Sequence, residues 1–428
     1  MNILITHGYS DSNKGDLAIT QACFLFLKEK YPEAKFILHS TFRRSDKESF
    51  EQHNRFMSKN NIEIKQGILP SPYSTSGKSL ITDLLAIFRL TKEAFQLKIS
   101  LLSNFLGKMI GGFQYEALKD YVNADLIVVK GGQFIYNDKE DLRGNLFLWR
   151  TLQALKTATI LKKKLIILGQ SFGGFASSKS EKTAIKYLSY CDKIYVREEE
   201  SYLFLKKYHL DVKAEIIPDM AFYLKKLDLP ISGINLPIDK KYVGLTLVNW
   251  SFTESNDVDY AKNNYIQSII DTCIFLFKEH NLTPLFIPQV TVKHHGASDV
   301  DLVLEIYQKL KENKVESIFY KDDLSLELLM LIYKKCEFLI GTRLHSCILA
   351  ANVETPILPI RYQGYKTQGV AKLLGQEDLM LDIHTITSDQ LIKNANIILK
   401  NSDKIKQTIQ YKTNQFLKDF EGLKSVKF

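Results

Sequence analysis

Apolar residues along this chain come in short, β-branched runs. Each ends in a glycine or polar turn and gives way to a helical period. The runs "NILITHG" (2–8), "KFILHS" (35–40), "ADLIVVKGG" (124–132), "KKLIILGQS" (163–171), "CDKIYVRE" (191–198) and "AEIIPD" (214–219) form a first series, with helical spacing between several of them, as in "GDLAITQACFLFLKEKY" (15–31). Continuous apolar runs are what strands buried on both faces require, so a parallel sheet flanked by helices is expected. The pattern lapses at "KLDLPISGINLPIDKK" (226–241), where prolines and a glycine interrupt it, and a linker is expected there. It restarts with "KYVGLTLVNW" (241–250), "LTPLFIPQV" (282–290), "ESIFYKDD" (316–323), "CEFLIGTRLHS" (336–346) and "ETPILPIRY" (354–362). From about 386 to 424 the spacing is helical again.

The expected fold is α/β: two Rossmann-like, doubly wound parallel-sheet domains facing a cleft, followed by C-terminal helices. The boundaries read from the pattern are 1–230, 231–385 and a helical tail, 386–428. In such an arrangement the carboxyl ends of both sheets line the cleft. One segment stands apart. "KSLITDLLAIFRLTKEAFQLKISLLSNFLGKMIGGF" (78–113) is rich in Leu, Phe and Lys and has no strand break before its glycine pair. It predicts amphipathic helices inserted in the first domain. Two readings of them stand side by side: core helices, or a face turned to anionic lipid or to another copy of the chain.

Composition narrows the class. At 428 residues the chain exceeds one typical core, and 45% hydrophobic with 25% charged residues marks it as globular. The formal net charge of +9 suits acidic partners such as phosphorylated metabolites or anionic head groups. The lysines are scattered and form no dense block, so nucleic acid is not expected as a partner. The five cysteines, Cys23, Cys191, Cys273, Cys336 and Cys347, are odd in number, widely spaced and without a CxxC pair. That is the pattern of core residues in a reducing compartment. The opening "MNILITHGY" reads as a strand entering a loop, not as a secretory signal, and no apolar run is long enough for a transmembrane helix. A cytoplasmic protein is expected, with peripheral contact at the inner face of the membrane left open by segment 78–113.

The candidate chemistry sits at strand ends. "HGYSDSNKGDLAI" (7–19) follows the first strand and opens a helix; Gly15 permits a tight turn, Asp16 is placed to cap the helix, and Asn13 can offer its amide to a ligand. It contains neither a dinucleotide fingerprint nor a Walker lysine. "VVKGGQF" (128–134), with Gly131, Gly132 and Gln133, and "LGQSFGGF" (168–175), with Gln170 and Ser171, are glycine-rich strand ends where backbone can approach a sugar or an anion. In "YVREEESYLFLKK" (195–207) the acids Glu198, Glu199 and Glu200 suit a helix N-terminus, while Arg197 either pairs with one of them or binds carboxylate or phosphate. "GTRLHS" places Arg343 and His345 two residues apart where a strand becomes a helix, an anion site with a proton donor beside it. The backbone at Leu344 belongs to that helix start. "RYQGYKTQG" (361–369) adds Arg361 and Lys366 on the next strand-end loop. Adjacent His294 and His295 are read as loop residues, and no metal site is expected.

Taken together, "NKGDLAI", "ADLIVVKGGQFI", "LGQSFGGF", "YVREEES", "IPDMAF" and "IGTRLHSCILAA" resemble the polysaccharide pyruvyl transferases, from residue 1 to about 375. The chain departs from that family's usual pattern at Gln133, where a third glycine is common, and at Gly174, where proline is common. The resemblance implies a fold like that of two-domain glycosyltransferases of the B type. It implies phosphoenolpyruvate as donor, a sugar diol on a glycan or lipid-linked oligosaccharide as acceptor, and a cyclic pyruvate ketal plus phosphate as products. No cofactor is called for. Arg197, Arg343, His345 and Lys366 carry over as donor-site residues, clustered at 341–366 with Arg197 reaching across from the first domain. His345 is the candidate general acid and Asp16 the candidate base, with Asp219 structural. Asn13, Gly15, Gly131, Gly132, Gln133, Gln170 and Ser171 are the candidate acceptor contacts of the first domain. Two other readings of the same residues remain: a nucleotide-sugar-dependent glycosyltransferase, and a carbohydrate-binding protein without chemistry. A homo-oligomer is left open.

Overall fold

A computed structural model describes residues 1–45, 62–72, 80–137, 139–253, 255–291 and 298–428. His294 and His295 lie outside the described residues. The chain divides into two compact units, and the division differs from the expected three-part split. One unit comprises Met1–Asp11, Ile19–Met220 and Gly422–Phe428; the other comprises Ser12–Ala18 and Ala221–Glu421.

The first unit is built on a sheet of β1 (Asn2–Gly8), β2 (Lys35–Ser40), β3 (Glu63–Gln66), β4 (Leu126–Gly132), β5 (Leu165–Gln170), β6 (Lys193–Val196) and β7 (Ala214–Ile216). Their order is β3-β2-β1-β4-β5-β6-β7, and every pairing is parallel. β4 and β5 are buried along their whole length, as their unbroken apolar runs require. The helices are α1 (Lys14–Lys30), α2 (Leu80–Leu102), α3 (Asn104–Ile110), α4 (Gly112–Asn123), α5 (Leu142–Ile160), α6 (Ser178–Leu188) and α7 (Glu199–Lys206). The short β3, a single turn of strand with one exposed and three half-buried residues, gave no apolar signal to read.

The second unit's sheet contains β8 (Lys241–Thr246), β9 (Leu282–Phe286), β10 (Ile318–Phe319), β11 (Cys336–Gly341), β12 (Ile357–Arg361) and β13 (Leu381–Asp382), in the order β10-β9-β8-β11-β12-β13, again all parallel. Around it run α8 (Val258–His280), α9 (Asp299–Glu312), α10 (Leu326–Lys334), α11 (Leu344–Asn352), α12 (Lys366–Leu373), α13 (Ser388–Lys400) and α14 (Ser402–Ser425). α13 opens with a reciprocal capping box between Thr387 and Gln390.

The tail is not a separate body, and aromatic packing is the reason. Within the second unit Phe222 packs on Phe416 with ring centroids 4.7 Å apart, and Tyr223 meets Phe420 edge-on at 5.4 Å. Asn352 donates to the carbonyl of Ala221 at 2.9 Å. In the first unit Phe428 lies against Phe26 and Tyr195, with the Lys30 ammonium 4.5 Å above its ring. The unit boundary therefore falls at Met220, before the proline-containing stretch.

Both sheets reverse their winding at one point, between β1 and β4 in the first unit and between β8 and β11 in the second. At such a switch the loops leaving adjacent strands diverge, opening a crevice at their carboxyl ends. At the first one His7 adopts φ +66°, stacks on Phe134 at 4.5 Å, and donates through Nε2 to the carbonyl of Thr151 at 3.1 Å while Nδ1 accepts from the Thr6 hydroxyl. Burial pushes its imidazole down to about 3, and the nearby Arg150 and Lys130 charges act in the same direction against the Thr151 bond. His7 is thus neutral in the fold but takes a proton near 6.5 when unfolded. Between those values the unfolded chain binds more protons, so stability falls as pH falls from 6.5 toward 3, at up to about 1.4 kcal/mol per pH unit from this group. His7→Asn removes the titrating ring and tolerates the left-handed backbone. Urea unfolding of the variant across that pH window should show a shallower dependence than the parent.

Candidate functional site

The turn from β11 into α11, at the second unit's switch point, is held residue by residue. A Cβ on Gly341 would stand 2.4 Å from Cys347 Sγ, so only glycine fits beneath the first turn of α11. Thr342 donates its amide to the carbonyl of Thr246 at 2.9 Å, and its hydroxyl lies 3.1 Å from that of Tyr265. Ser346 donates to the carbonyl of Arg343 at 2.6 Å, which leaves its oxygen to accept from Thr246 Oγ1 at 2.5 Å. Cys347 is buried and its thiol is pushed up to about 12 by desolvation, so it is packing material and not a nucleophile.

Arg343 is the N-cap of α11, with extended backbone and no side-chain cap. Its guanidinium forks onto Asp299, Nε to Oδ2 at 3.1 Å and Nη2 to Oδ1 at 2.6 Å, and packs 5.9 Å from the centre of the Tyr362 ring. Asp299 is fully buried, whereas the Arg343 side chain keeps 22% exposure. Burial alone would lower the guanidinium's proton affinity, but the Asp299 carboxylate outweighs it and holds Arg343 above its ordinary range, so it is always charged. Since the pair sums to zero, excess positive potential at this turn comes from the amides at the uncapped start of α11 and from neighbouring cations.

His345 lies in the first turn of the same helix, half-buried. Its Nδ1 would be only 2.4 Å from a Cβ at Gly15, so the ring rests directly on that glycine. The segment bearing Gly15 docks within the second unit: Asn13 bridges Val290, Lys14 donates its amide to the carbonyl of Gln289 at 3.1 Å, and the Lys14 ammonium pairs with Asp323. Asn13 caps α1, accepting from the amides of Gly15 and Asp16 at 3.1 and 3.4 Å and donating to Asp16 Oδ2 at 2.9 Å. The cap is therefore Asn13 and not Asp16 as expected, and Asp16 is the carboxylate that Asn13 holds. This also changes the grouping. Asn13, Gly15 and Asp16, placed by sequence on the first domain's side, belong to the second unit and stand with His345. Lys366 opens α12 just beyond Tyr362. Arg361 pairs with Asp382 across β12 and β13, which gives it a structural role.

In the first unit the strand ends of β4 and β5 come together. Gly132 pairs with Gln170 in register, and the amide of Ser171 donates to the carbonyl of Gly132 at 2.8 Å. A Cβ on Gly131 would meet the carbonyl oxygen of Gly169 at 2.5 Å, so glycine is needed for the strands to approach. Gln170 and Ser171 are buried, while Gln133 is half-buried. Gly174 takes φ +80°, which a proline ring cannot adopt, so this loop follows its own path.

Arg197 is buried beside them, 4% exposed. It pairs with Asp219, donates from Nε to the Ser171 hydroxyl at 2.6 Å, and lies 3.5 Å from Glu198. The ion-pair alternative accounts for it, with Asp219 as a second acid. In the fold it braces β5, β6 and Asp219.

Sequence reasoning missed Asp299, Tyr362, Gln289 and Asp323, which position Arg343 and the Gly15 segment. It also missed the buried Lys130 and the half-buried Arg150 of the first unit; Arg150 is lowered to about 10, by desolvation first and then by the charge of Arg43. The cavity between His7, His39, Arg150 and Thr151 measures about 30 Å³, too small for a sugar. Among the described residues no group of three His, Cys, Asp or Glu is arranged to hold a metal ion.

Two outcomes follow from this geometry. Arg343→Ala strands the Asp299 carboxylate in a dry site and should cost about 3–5 kcal/mol of stability, read as a lowered denaturant midpoint. Gly15→Ala gains helix propensity in α1 but drives a methyl into the imidazole. The displaced ring should outweigh the propensity gain, lowering the thermal midpoint and shifting the His345 ring resonances in an NMR spectrum; unmoved resonances would refute the contact.

Comparison with known proteins agrees on family and fold. The family model for polysaccharide pyruvyl transferase matches residues 13–364. The chain is similar to the amylovoran biosynthesis protein AmsJ of Erwinia amylovora, 23% identical over 96% of this chain and 94% of that protein. In three dimensions it is similar to the UDP-GlcNAc 2-epimerase of Neisseria meningitidis bound to UDP-GlcNAc, with TM-score 0.57, 12% identity, and coverage of 96% of this chain and 94% of the other. It is similar as well to the Anabaena protein HepE in complex with UDP, with TM-score 0.55, 12% identity, and coverage of 99% and 98%. The likeness to these two structures is one of fold: two parallel-sheet α/β domains of the glycosyltransferase-B kind.

Proposed function

This chain belongs to the polysaccharide pyruvyl transferase family, and we propose that it moves the pyruvyl group of phosphoenolpyruvate onto a sugar diol of a polysaccharide or lipid-linked glycan. A transferase role in polysaccharide biosynthesis agrees with its similarity to the amylovoran biosynthesis protein. The observation that carries the finer reading is the turn at β11–α11: an uncapped helix start, a fixed guanidinium and an imidazole that rests on Gly15, all at a topological switch point. A donor with one carboxylate and one phosphate needs such a group of donors and cations.

In this reading the amides at Leu344 and His345, Arg343 through the Nη1 edge that Asp299 does not use, and Lys366 bind the donor's anionic groups. His345, as imidazolium, gives its proton to the methylene carbon of the enol. The substituted carbon becomes electrophilic, one sugar hydroxyl adds to it, and the bond to the phosphate oxygen breaks with its electron pair leaving on phosphate. The second hydroxyl closes the ketal ring. Of the two hydroxyl protons, one restores His345 and the other ends on phosphate, so protons and charge balance. Asp16, held by Asn13 beside Gly15, is the base for the hydroxyl. Acceptor contacts at this site fall to Asn13 and Gly15.

Calorimetric titration of the full chain with phosphoenolpyruvate and, separately, with UDP-sugars tests the donor. Binding of phosphoenolpyruvate alone is expected; binding of UDP-sugars alone would assign the chain to nucleotide-sugar glycosyl transfer instead. His345→Ala should reduce transfer by about 10²–10⁴ while phosphoenolpyruvate affinity falls far less. The readout is the pyruvate ketal content of the surface glycan, by mass spectrometry, in cells carrying parent or variant. Unchanged ketal content in the variant would remove His345 from the reaction.

A further inference from the structure

Helix α2 is apolar on both sides. Its inward face, Ala86, Leu90, Leu97 and Ser100, is buried in the first unit. On the opposite side Ile81, Phe88, Phe95 and Leu102 recur every seven residues and are 60–76% exposed. α3 continues this surface with Phe105 and Met109, 71% and 65% exposed. A helix that is apolar all round belongs in a core or against a second apolar phase, and among the described residues this one has protein on one side only.

Charge identifies the second phase. Both acids of α2 are drawn inward: Glu93, 5% exposed, takes the fork of Arg43, and Asp83 takes Arg143 at 2.7 and 3.1 Å. Arg89, Lys92 and Lys98 of α2 and Lys108 of α3 stay exposed. At 100° per residue Lys92 falls within the apolar stripe, with Arg89 and Lys98 on its two flanks. Two copies meeting through this face would set these cations against their own images, with no exposed carboxylate on either helix to pair them. A negatively charged apolar surface satisfies both features at once: acyl chains take the Phe and Leu side chains, and head groups take the ammonium and guanidinium tips. No helix of the described residues is long and apolar enough to cross a membrane, so the contact is one of lying on the surface.

We propose that the outer face of α2 and α3 docks the first unit onto an anionic lipid surface. The inference is independent of the donor and of the chemistry at Arg343 and His345. Flotation of the full chain with vesicles of phosphatidylcholine, and of phosphatidylcholine mixed with phosphatidylglycerol, tests it. Binding to the mixed vesicles is expected, weakening as salt is added. The double variant Phe88→Ser, Phe95→Ser alters only exposed side chains and should lose about a hundredfold in vesicle affinity with an unchanged circular dichroism spectrum. Lys92→Glu with Lys98→Glu should abolish the preference for phosphatidylglycerol. Absence of binding to either vesicle, equal binding to both, or indifference to the serine variant would overturn the proposal. So would a dimer, seen by sedimentation, that the serine variant dissociates, since that would make a second copy the occupant.

Discussion

The second unit's site hangs on a buried carboxylate. Asp299 is sealed from water at the start of α9, and its charge is tolerated only because Arg343 forks onto it and the amide of Val290 donates to it at 3.1 Å. Three separate pieces of chain are thereby fixed to one another: the β11–α11 turn, the loop after β9, and the head of α9. Because Asn13 and Lys14 attach to Val290 and Gln289 of that same loop, the Gly15 segment is fixed as well, and with it the surface on which His345 rests. A carboxylate without its partner in so dry a place would cost several kcal/mol, so the geometry around His345 is enforced by a penalty on its alternatives and not by a favourable contact of its own.

This dependence explains why the sequence showed the ingredients of the site and not their assembly. Parallel strands buried on both faces write themselves as apolar runs, so β1, β4, β5, β8, β11 and the loops after them could be placed from spacing alone. Arg343 and His345 were visible because a cation and an imidazole at a strand-to-helix turn are conspicuous. Their partners were not, since Asp299 is one acid among many in a chain with 48 acidic residues, and nothing local ties it to a turn more than forty positions away. Asn13, Gly15 and Asp16 read as a capped βα turn, which they are. Their membership of the second unit is written in the backbone pairing with Gln289 and Val290, and backbone leaves no mark in composition.

The two strand-end arginines make the same point from the other side. Arg197 and Arg343 look alike in sequence: each ends a strand and precedes a helix. They differ in what remains once the acids are counted. Arg197 is 4% exposed and is enclosed by Asp219, Glu198 and Ser171, whereas the Arg343 side chain keeps 22% exposure beside a helix start that no side chain caps. The number of carboxylates and the exposure of the fork set the two arginines apart, and both are three-dimensional quantities.

The glycines show how little freedom is left at the β11–α11 turn and, separately, at the first unit's strand ends. Gly341 makes room for Cys347, Gly15 for the His345 imidazole, and Gly131 for the carbonyl of Gly169; in each case a single methyl would overlap its neighbour. None of these three has the positive φ that usually marks an obligatory glycine, so their requirement comes from packing and not from backbone strain. An imidazole seated against backbone in this way, as His345 is on Gly15, has few rotamers to choose from. At Gly173 and Gly174 the reverse holds: an added Cβ would meet nothing within 4 Å, but both have positive φ, so there the backbone and not the packing asks for glycine.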